Sequence, residues 1–276
     1  MFNSFEELNE KESYLLGFLY ADGCITSEKN GRFYQLQIAL AEKDKNFLQS
    51  ICEIFNRELN KNYELKYSLE TKSYKLSVFN VELNEKLINL GITPRKTYSN
   101  EADFFDKIPN EMKLHFIRGF YDGDGSICFG KDEKCRVGFI SLNENLLKKI
   151  CNYINIILKN NFIHVRKDGK YFRIGLSGNI KCKTFLDLLY QSSTICLDRK
   201  YNKYKEIKIK QKPLHPNISW NKSNSKWVVF YTNKQTKVRK YIGTYKTIKE
   251  CVERYNEECK KFNDKIMEYK GEIQYE

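Results

Sequence analysis

The sequence predicts an α+β protein of two similar halves followed by a small third module. Two short segments, residues 15–23 and 117–125, nearly repeat each other about a hundred residues apart. Each opens a stretch whose apolar residues follow helical and then strand spacing, in the order α-β-β-α-β-β-α. From residue 208 to 249 every charged residue is basic, which marks a change of composition. These three observations predict two pseudo-symmetric halves and a separate C-terminal part.

The first half begins with an apolar helix that ends in the first repeated segment. A hairpin, a helix that Asp44 can cap, a second hairpin and a helix ended by Gly91 follow it. The predicted positions are strands at 24–27 and 33–40 with a turn at 29–31, a helix after residue 44, strands at 63–69 and 74–79, and a helix at 81–90.

The second half repeats this order after the second segment. Its second hairpin turns at Asp168-Gly169. The predicted positions are strands near 126–129 and 136–140, a helix at 143–158, strands at 162–166 and 171–176, and a helix at 180–190. We expect residues 1–100 and 101–206 to form halves with antiparallel sheets, related by a pseudo-two-fold axis between the two motif helices.

The third module is expected at residues 215–276, after a linker at 207–214. Pro213 and Pro216 bracket the end of that linker. The predicted elements are strands at 218–220, 226–231 and 238–243, and a helix at 248–262. Three strands and one amphipathic helix form a small three-stranded sheet domain with one apolar face.

Composition favours a polyanionic partner without proving one. The chain of 276 residues has a formal net charge of +13 and a sequence pI of about 9.1. A membrane surface or a lysine-rich proteome would also fit that charge. Nine cysteines without a CxxC pair argue against a zinc module. No apolar run is long enough to cross a bilayer, and we expect an intracellular protein.

Small residues recur four positions apart in both repeated segments. They are Gly17 with Ala21, and Gly119 with Gly123. Residues four apart share a helical face, and a face of small residues lets another backbone come close. We therefore expect the two helices to pack on each other along these faces.

Such packing would place the C-terminal ends of both helices side by side, each with one carboxylate, Asp22 or Asp124. Two close carboxylates repel, and the negative ends of two helix dipoles add to the repulsion. A divalent cation would neutralise the pair. Hard oxygen ligands favour Mg²⁺, which we take as the expected cofactor.

The two segments resemble the paired motifs of the LAGLIDADG homing endonucleases, in which the eighth motif position is the metal-binding acid. Asp22 and Asp124 occupy that position, and Gly23 and Gly125 follow them, so the resemblance implies a metal site at these four residues. The first copy departs from the pattern at Tyr20, where the sixth position is usually acidic. The resemblance also implies that the two sheets form a saddle in the DNA major groove.

Both halves end in a similar basic segment, which contains Lys96 in the first and Lys200 in the second. Members of the family place a lysine here that reaches the reacting phosphate. The resemblance therefore implies catalytic roles for both lysines, beside the two acids. For either lysine alone, a solvated position in a lysine-rich chain is an equally good interpretation.

Residues 217–262 resemble the AP-two/ethylene-response-factor DNA-binding domain, through Lys226-Trp227, residues 241–245 and the helix around Tyr255. In that family the sheet enters the major groove. The resemblance implies DNA contacts from Ser219, Trp220, Asn221, Lys226, Arg239 and Tyr241. Trp227 could equally be a core aromatic residue.

The expected function is that of a monomeric homing endonuclease, which makes Mg²⁺-dependent double-strand breaks in DNA by hydrolysis. Two alternatives stay open: an RNA maturase that binds structured intron RNA, and a DNA-binding regulator that does not cleave. Intact Asp22 and Asp124 disfavour the regulator, because a binding protein has no need for two crowded carboxylates that face phosphate. They do not distinguish the nuclease from the maturase.

Overall fold

A computed structural model describes residues 1–27, 33–96, 99–159, 163–209, 215–221, 223–233 and 236–269. The chain divides into two compact units, residues 1–208 and 209–276. The turn expected at 29–31 and most of the expected linker lie outside the described residues. No helix in the described ranges combines the length and the apolar character that a membrane span needs.

The larger unit contains the predicted order of elements twice, which confirms the two-half α+β fold. Its first half comprises α1 (Glu10–Asp22), β1 (Gly23–Ser27), β2 (Phe33–Ala41), a 3-10 turn (Glu42–Asp44), α2 (Lys45–Leu59), β3 (Lys66–Ser68), β4 (Ser73–Phe79) and α3 (Val81–Asn89). Its second half comprises α4 (Asp103–Lys107), α5 (Asn110–Asp124), β5 (Gly125–Phe129), β6 (Cys135–Ser141), α6 (Glu144–Leu158), β7 (Val165–Asp168), β8 (Tyr171–Ser177), α7 (Asn179–Tyr190) and α8 (Asp198–Lys205).

Each half holds one antiparallel sheet of four strands with the same topology, β1-β2-β4-β3 and β5-β6-β8-β7. Strand residues alternate between a buried and an open face, as expected when helices cover one side of a sheet. The buried face of the two central strands is apolar in both sheets: Leu36, Ile38, Leu76 and Val78 in the first, and Val137, Phe139, Ile174 and Leu176 in the second.

Helices α1 and α5 pack against each other with their backbones in direct contact. A Cβ atom added to Gly17 would lie 1.9 Å from the carbonyl oxygen of Phe116, and one added to Gly119 would lie 1.9 Å from that of Tyr14. The same close approach therefore occurs twice, once from each helix. Only glycine fits at either position, which supports the expected packing along these faces.

A buried arginine also joins the halves. Arg118 of α5 is 1% exposed, and its guanidinium lies 2.8 Å from the carboxylate of Glu10 at the start of α1. It also donates to the carbonyl oxygens of Ile195 and Leu189, at 2.9 and 3.2 Å. A buried charge with these partners is costly to disturb, so the residue holds the loop before α8 against both motif helices.

Two helices of the larger unit were not predicted. α4 is a single short turn, and α8 has the sequence Asp-Arg-Lys-Tyr-Asn-Lys-Tyr-Lys, in which tyrosine is the only apolar type. Periodicity cannot detect such a helix, since only Lys200 and Tyr204 are buried. Its tertiary contacts, described below, stabilise it.

The smaller unit has the predicted three strands and one helix, β9 (Ile218–Asn221), β10 (Lys226–Thr232), β11 (Arg239–Tyr245) and α9 (Ile248–Lys261). The sheet is antiparallel in the order β9-β10-β11. Helix α9 begins at a capping box between Thr247 and Glu250. The core of the smaller unit consists of Ile218, Trp227, Val229, Ile248, Cys251 and Val252.

Substituting alanine for Gly17 or Gly119 should lower the free energy of unfolding by about 1–3 kcal/mol, because the added methyl group meets a backbone oxygen that can yield only if the helices separate. Chemical denaturation measures the change. Gly175→Ala is the control, since its Cβ would meet only the side chain of Arg173 at 3.9 Å. Equal stability of all three variants would contradict the packing argument.

Candidate active site at the junction of the motif helices

The two predicted acids lie together where α1 and α5 end. Asp22 is the last residue of α1 and Asp124 the last of α5. A Cβ atom added to Gly123 would lie 2.3 Å from Cβ of Ala21 and 3.2 Å from Oδ2 of Asp22. The carboxylate of Asp22 therefore rests against the opposite helix, one residue from Asp124.

The surroundings oppose ionisation of both acids. Burial raises the pKa of Asp22. The pKa of Asp124 is raised to about 6, first by desolvation at the helix junction and then by the charge of Asp22. The side chain of Asp124 is nevertheless open to solvent. Lys200 and Lys96 act in the opposite direction on both carboxylates. Such a pair favours a bound cation.

The two predicted lysines are buried at the ends of the motif helices. Lys96 is 8% exposed and Lys200 is 2% exposed, so neither is a solvated surface lysine. The Nζ of Lys96 donates to the carbonyl oxygen of Gly23. The Nζ of Lys200 donates to three carbonyl oxygens, those of Tyr121 (2.7 Å), Asp122 (2.7 Å) and Gly123 (3.3 Å).

These bonds have a structural reason of their own. Neither motif helix has a basic residue in its last turn, and the last carbonyl groups of a helix lack partners within it. A cation at this end also interacts favourably with the helix dipole. Burial lowers the pKa of both lysines, and that of Lys200 falls to about 8. Each lysine thus brings a positive charge to a carboxylate.

The donor set suits a hard divalent ion such as Mg²⁺. Asp22 and Asp124 supply carboxylate oxygens, and the described residues include no cluster of three or more His, Cys, Asp or Glu that could hold a metal. Mg²⁺ commonly binds to one or two carboxylates and takes its other ligands from water and substrate phosphate. The other two predicted ligands, Gly23 and Gly125, are the first residues of β1 and β5, directly beside the acids.

A third acid of the motif, Asp122, has a role that sequence reasoning missed. Its carboxylate is 1% exposed and accepts hydrogen bonds from the hydroxyl groups of Tyr14 (2.8 Å) and Tyr190 (2.5 Å) and from the backbone N–H of Leu197 (2.8 Å). Leu197 directly precedes α8, which carries Lys200. Asp122 therefore fixes the start of the helix that delivers this lysine.

At the equivalent position of the first motif, a different side chain makes a different contact. Tyr20 stands where the second copy has Asp122, and its hydroxyl accepts a hydrogen bond from Nδ2 of Asn143 at 2.9 Å. Asn143 caps α6 by accepting from the N–H of Leu146. The departure of Tyr20 from the motif thus links α1 to the second half and leaves the metal-binding position unchanged.

Asp44 does not cap α2, contrary to the expectation from sequence. Its buried carboxylate instead accepts two bonds from Arg199, at 3.0 Å from Nε and 3.1 Å from Nη2. This pair joins the first half to α8 beside Asp22, whose pKa Asp44 raises and Arg199 lowers. No local pattern signals a partner more than 150 residues away.

A basic groove of about 640 Å³ extends from Asp124 across the open face of the second sheet. Its basic side chains are Arg136, Arg166, Arg173 and Lys181. Arg166 and Arg173 lie directly opposite each other on neighbouring strands, a placement that costs stability for like charges. Lys66 and Lys75 form the corresponding pair in the first sheet. Sequence reasoning missed these residues, although a cation on the polar side of three predicted strands of the second half was a usable signal.

In the smaller unit, one of the six predicted contact residues lies on the wrong face. Strand alternation places Trp220 on the helix side of the sheet, with its ring centroid 5.1 Å from that of Trp227. This corrects the expectation for Trp220. The other five lie on the open strand positions or their margins: Ser219, Asn221, Lys226, Arg239 and Tyr241.

That open face combines cations with aromatic rings. The guanidinium of Arg239 lies 3.9 Å from the ring centroid of Phe230, and the ring centroid of Tyr241, also on β11, lies 5.7 Å from that of Phe230. An exposed face of this composition is typical of surfaces that bind nucleic acid.

No model of a protein family matches this chain, and no curated protein matches it. Several solved structures are similar to it. The I-LtrWI LAGLIDADG homing endonuclease bound to target DNA is 14% identical over 72% of this chain and 90% of that one, with a TM-score of 0.46. Mesophilic variants of the homing endonuclease I-DmoI are 18% identical over 66% and 95%, with a TM-score of 0.48.

A third structure, the LAGLIDADG homing endonuclease I-GzeII in complex with a DNA target, is 14% identical over 72% of this chain and 88% of that one, with a TM-score of 0.47.

Asp122→Asn and Asp124→Asn should change stability in opposite directions. Asp122→Asn should lower the free energy of unfolding by about 1–3 kcal/mol, since an amide cannot accept all three hydrogen bonds. Asp124→Asn removes one of two repelling carboxylates and should leave stability unchanged or raise it. Thermal and chemical denaturation without metal measure both. A destabilised Asp124→Asn with an unaffected Asp122→Asn would reverse the roles assigned to the two acids.

Proposed function

We propose that this chain is a homing endonuclease of the LAGLIDADG type that cuts both strands of DNA at a specific site by Mg²⁺-dependent hydrolysis. The observation that carries the proposal is the pair of Asp22 and Asp124. They end two helices in backbone contact, and a buried lysine lies beside each of them. A structural role alone does not explain two crowded acids, one of which lines a basic groove.

Charge supports DNA as the substrate. The net charge of +13 favours a polyanion, and the groove that starts at Asp124 is lined by arginines on an exposed sheet face. A two-stranded ribbon of a sheet fits the DNA major groove. Because each sheet begins at the glycine after its acid, DNA on the open faces would pass over both acids.

The chemistry assigns one acid to each strand. Asp22 and Asp124 would hold the divalent ions, which supply an activated water and neutralise charge on the phosphate when bound. Lys96 and Lys200 keep the helix ends, and with them the acids, in place through their bonds to backbone carbonyl groups. Their positive charges would also stabilise the charge that develops on the reacting phosphate.

The smaller unit would add affinity for DNA. We propose residues 215–276 as a separable DNA-binding module, with contacts from Ser219, Asn221, Lys226, Arg239 and Tyr241. Exposed cations over aromatic rings support this role. A monomer suffices, because the two halves of the larger unit already supply two acids.

The deciding experiment is cleavage of a randomised duplex library by the full-length protein with Mg²⁺, followed by sequencing of the cut ends. A single enriched site that disappears with EDTA and returns with Mg²⁺ is the expected result. Binding without cutting would favour a regulator. Failure on every duplex, together with cleavage or tight binding of folded RNA, would favour the maturase.

Asp22→Asn and Asp124→Asn should each abolish double-strand cutting, because each removes a metal-binding carboxylate. Binding should stay nearly intact or become tighter, since one negative charge that faces phosphate is lost. Gel mobility and cleavage assays on the same duplex separate the two effects. Asp132→Asn is the control, as its carboxylate pairs with Lys134 on the surface. Wild-type cutting by either site variant would refute the assignment.

Deleting the residues after 213 should leave an enzyme that cuts but binds DNA more weakly. Each lost phosphate contact lowers the slope of log K against log salt concentration by about 0.9, so titration at several salt concentrations detects the loss. Lys226→Ala and Arg239→Ala should reproduce part of the effect. Lys249→Ala, on the exposed side of α9, should not. An unchanged slope after the deletion would point to a protein partner for this unit.

A further inference from the structure

The two pseudo-symmetric sheets carry different side chains at the same structural position. Gln35 lies opposite Thr26, the fourth residue of β1, and Arg136 lies opposite Cys128, the fourth residue of β5. Both sheets have the same strand order, and both first strands begin at the glycine after the acid. Gln35 and Arg136 are therefore equivalent residues of the two halves.

Both residues belong to the open faces. The neighbours of Gln35 in β2, Leu36 and Ile38, point into the core, as do Val137 and Phe139 beside Arg136. Arg136 is exposed and lines the groove that starts at Asp124. Among the described residues, no carboxylate forms an ion pair with it.

Neighbouring side chains on the open face of the first sheet hold the side-chain amide of Gln35 in place. Its Oε1 accepts hydrogen bonds from Nε2 of Gln37 at 2.5 Å and from the hydroxyl of Thr26 at 3.3 Å. The first sheet thus presents ordered neutral amides where the second presents a guanidinium. The outer strands do not share this contrast, since both sheets carry a pair of cations there, Lys66 and Lys75 in the first and Arg166 and Arg173 in the second.

These side chains differ in the bases that they recognise. A guanidinium makes two parallel hydrogen bonds to O6 and N7 of guanine, whereas the amide of glutamine pairs with N6 and N7 of adenine. For this pairing, Oε1 of Gln35 would exchange its 3.3 Å bond from Thr26 for one from N6. We propose that the two sheets recognise different bases, guanine at Arg136 and adenine at Gln35, an inference that rests on the proposed function.

The geometry also gives the place of the two bases. Gln35 lies three residues along β2 from Ile38, which is opposite Gly23, and Arg136 lies three residues along β6 from Phe139, which is opposite Gly125. Each position is thus displaced along the sheet by about 10 Å from the glycine after the acid, at a rise of about 3.3 Å per residue. That distance corresponds to about three base-pair steps of about 3.4 Å. The two preferences should therefore lie at similar distances on opposite sides of the cut site.

A swap of the two residues tests the proposal in the full-length protein. Wild type, Arg136→Gln and Gln35→Arg each select from a duplex library randomised on both sides of the wild-type cut site, and the bound fraction is sequenced. Wild type should enrich guanine at one position and adenine at its counterpart. Arg136→Gln should lower the guanine-to-adenine ratio at the first position at least about fivefold, and Gln35→Arg should raise it at the second.

Lys131→Gln is the matched control, because it removes the same charge from the exposed turn that follows β5. It should weaken binding without changing any base preference. If Arg136→Gln behaves in the same way, Arg136 contacts phosphate and the proposal is wrong, while the endonuclease function stands. A palindromic wild-type site would also overturn it. If wild type neither binds nor cuts any duplex, the proposed function fails and this inference with it.

Discussion

The backbone contact between α1 and α5 is the constraint on which the rest of the structure depends. Gly17 and Gly119 each lie so close to a carbonyl group of the other helix that a methyl group would not fit. This approach brings the two halves into one core and sets the distance between the helix ends. A larger residue would move the halves apart and, with them, the two acids.

The same contact creates an electrostatic cost that the surrounding residues offset. Two helix ends and two carboxylates concentrate negative charge, and desolvation at the helix junction raises the pKa of both Asp22 and Asp124. Lys96 and Lys200 bring buried positive charge to this point from the segments that end the two halves. Arg199 adds a further cation and is itself held by Asp44. These cations offset part of the repulsion between the two acids.

Symmetry of the backbone coexists with asymmetry of the side chains. The two sheets share one topology, yet the sixth motif position is Tyr20 in one half and Asp122 in the other. The open faces differ as well, with Gln35 in the first sheet at the position that Arg136 has in the second. The repeated backbone keeps the two acids at equivalent positions, whereas surface residues that do not support the core can differ between the two halves.

Local patterns determined the order of the helices and strands, the positions of the paired acids and the separate C-terminal unit, because periodicity and spacing act over a few residues. Tertiary structure alone decided what depends on partners far apart in the chain. Asp44 pairs with Arg199 instead of capping its helix, and α8 forms although its sequence lacks an apolar stripe. The side chain of Trp220 lies on the core face of its sheet, because strand alternation puts it on the same face as Trp227, which it contacts. The motif alone had implied a place on the open face. Burial of the lysines likewise follows from the helix ends that they meet, which no segment of sequence contains by itself.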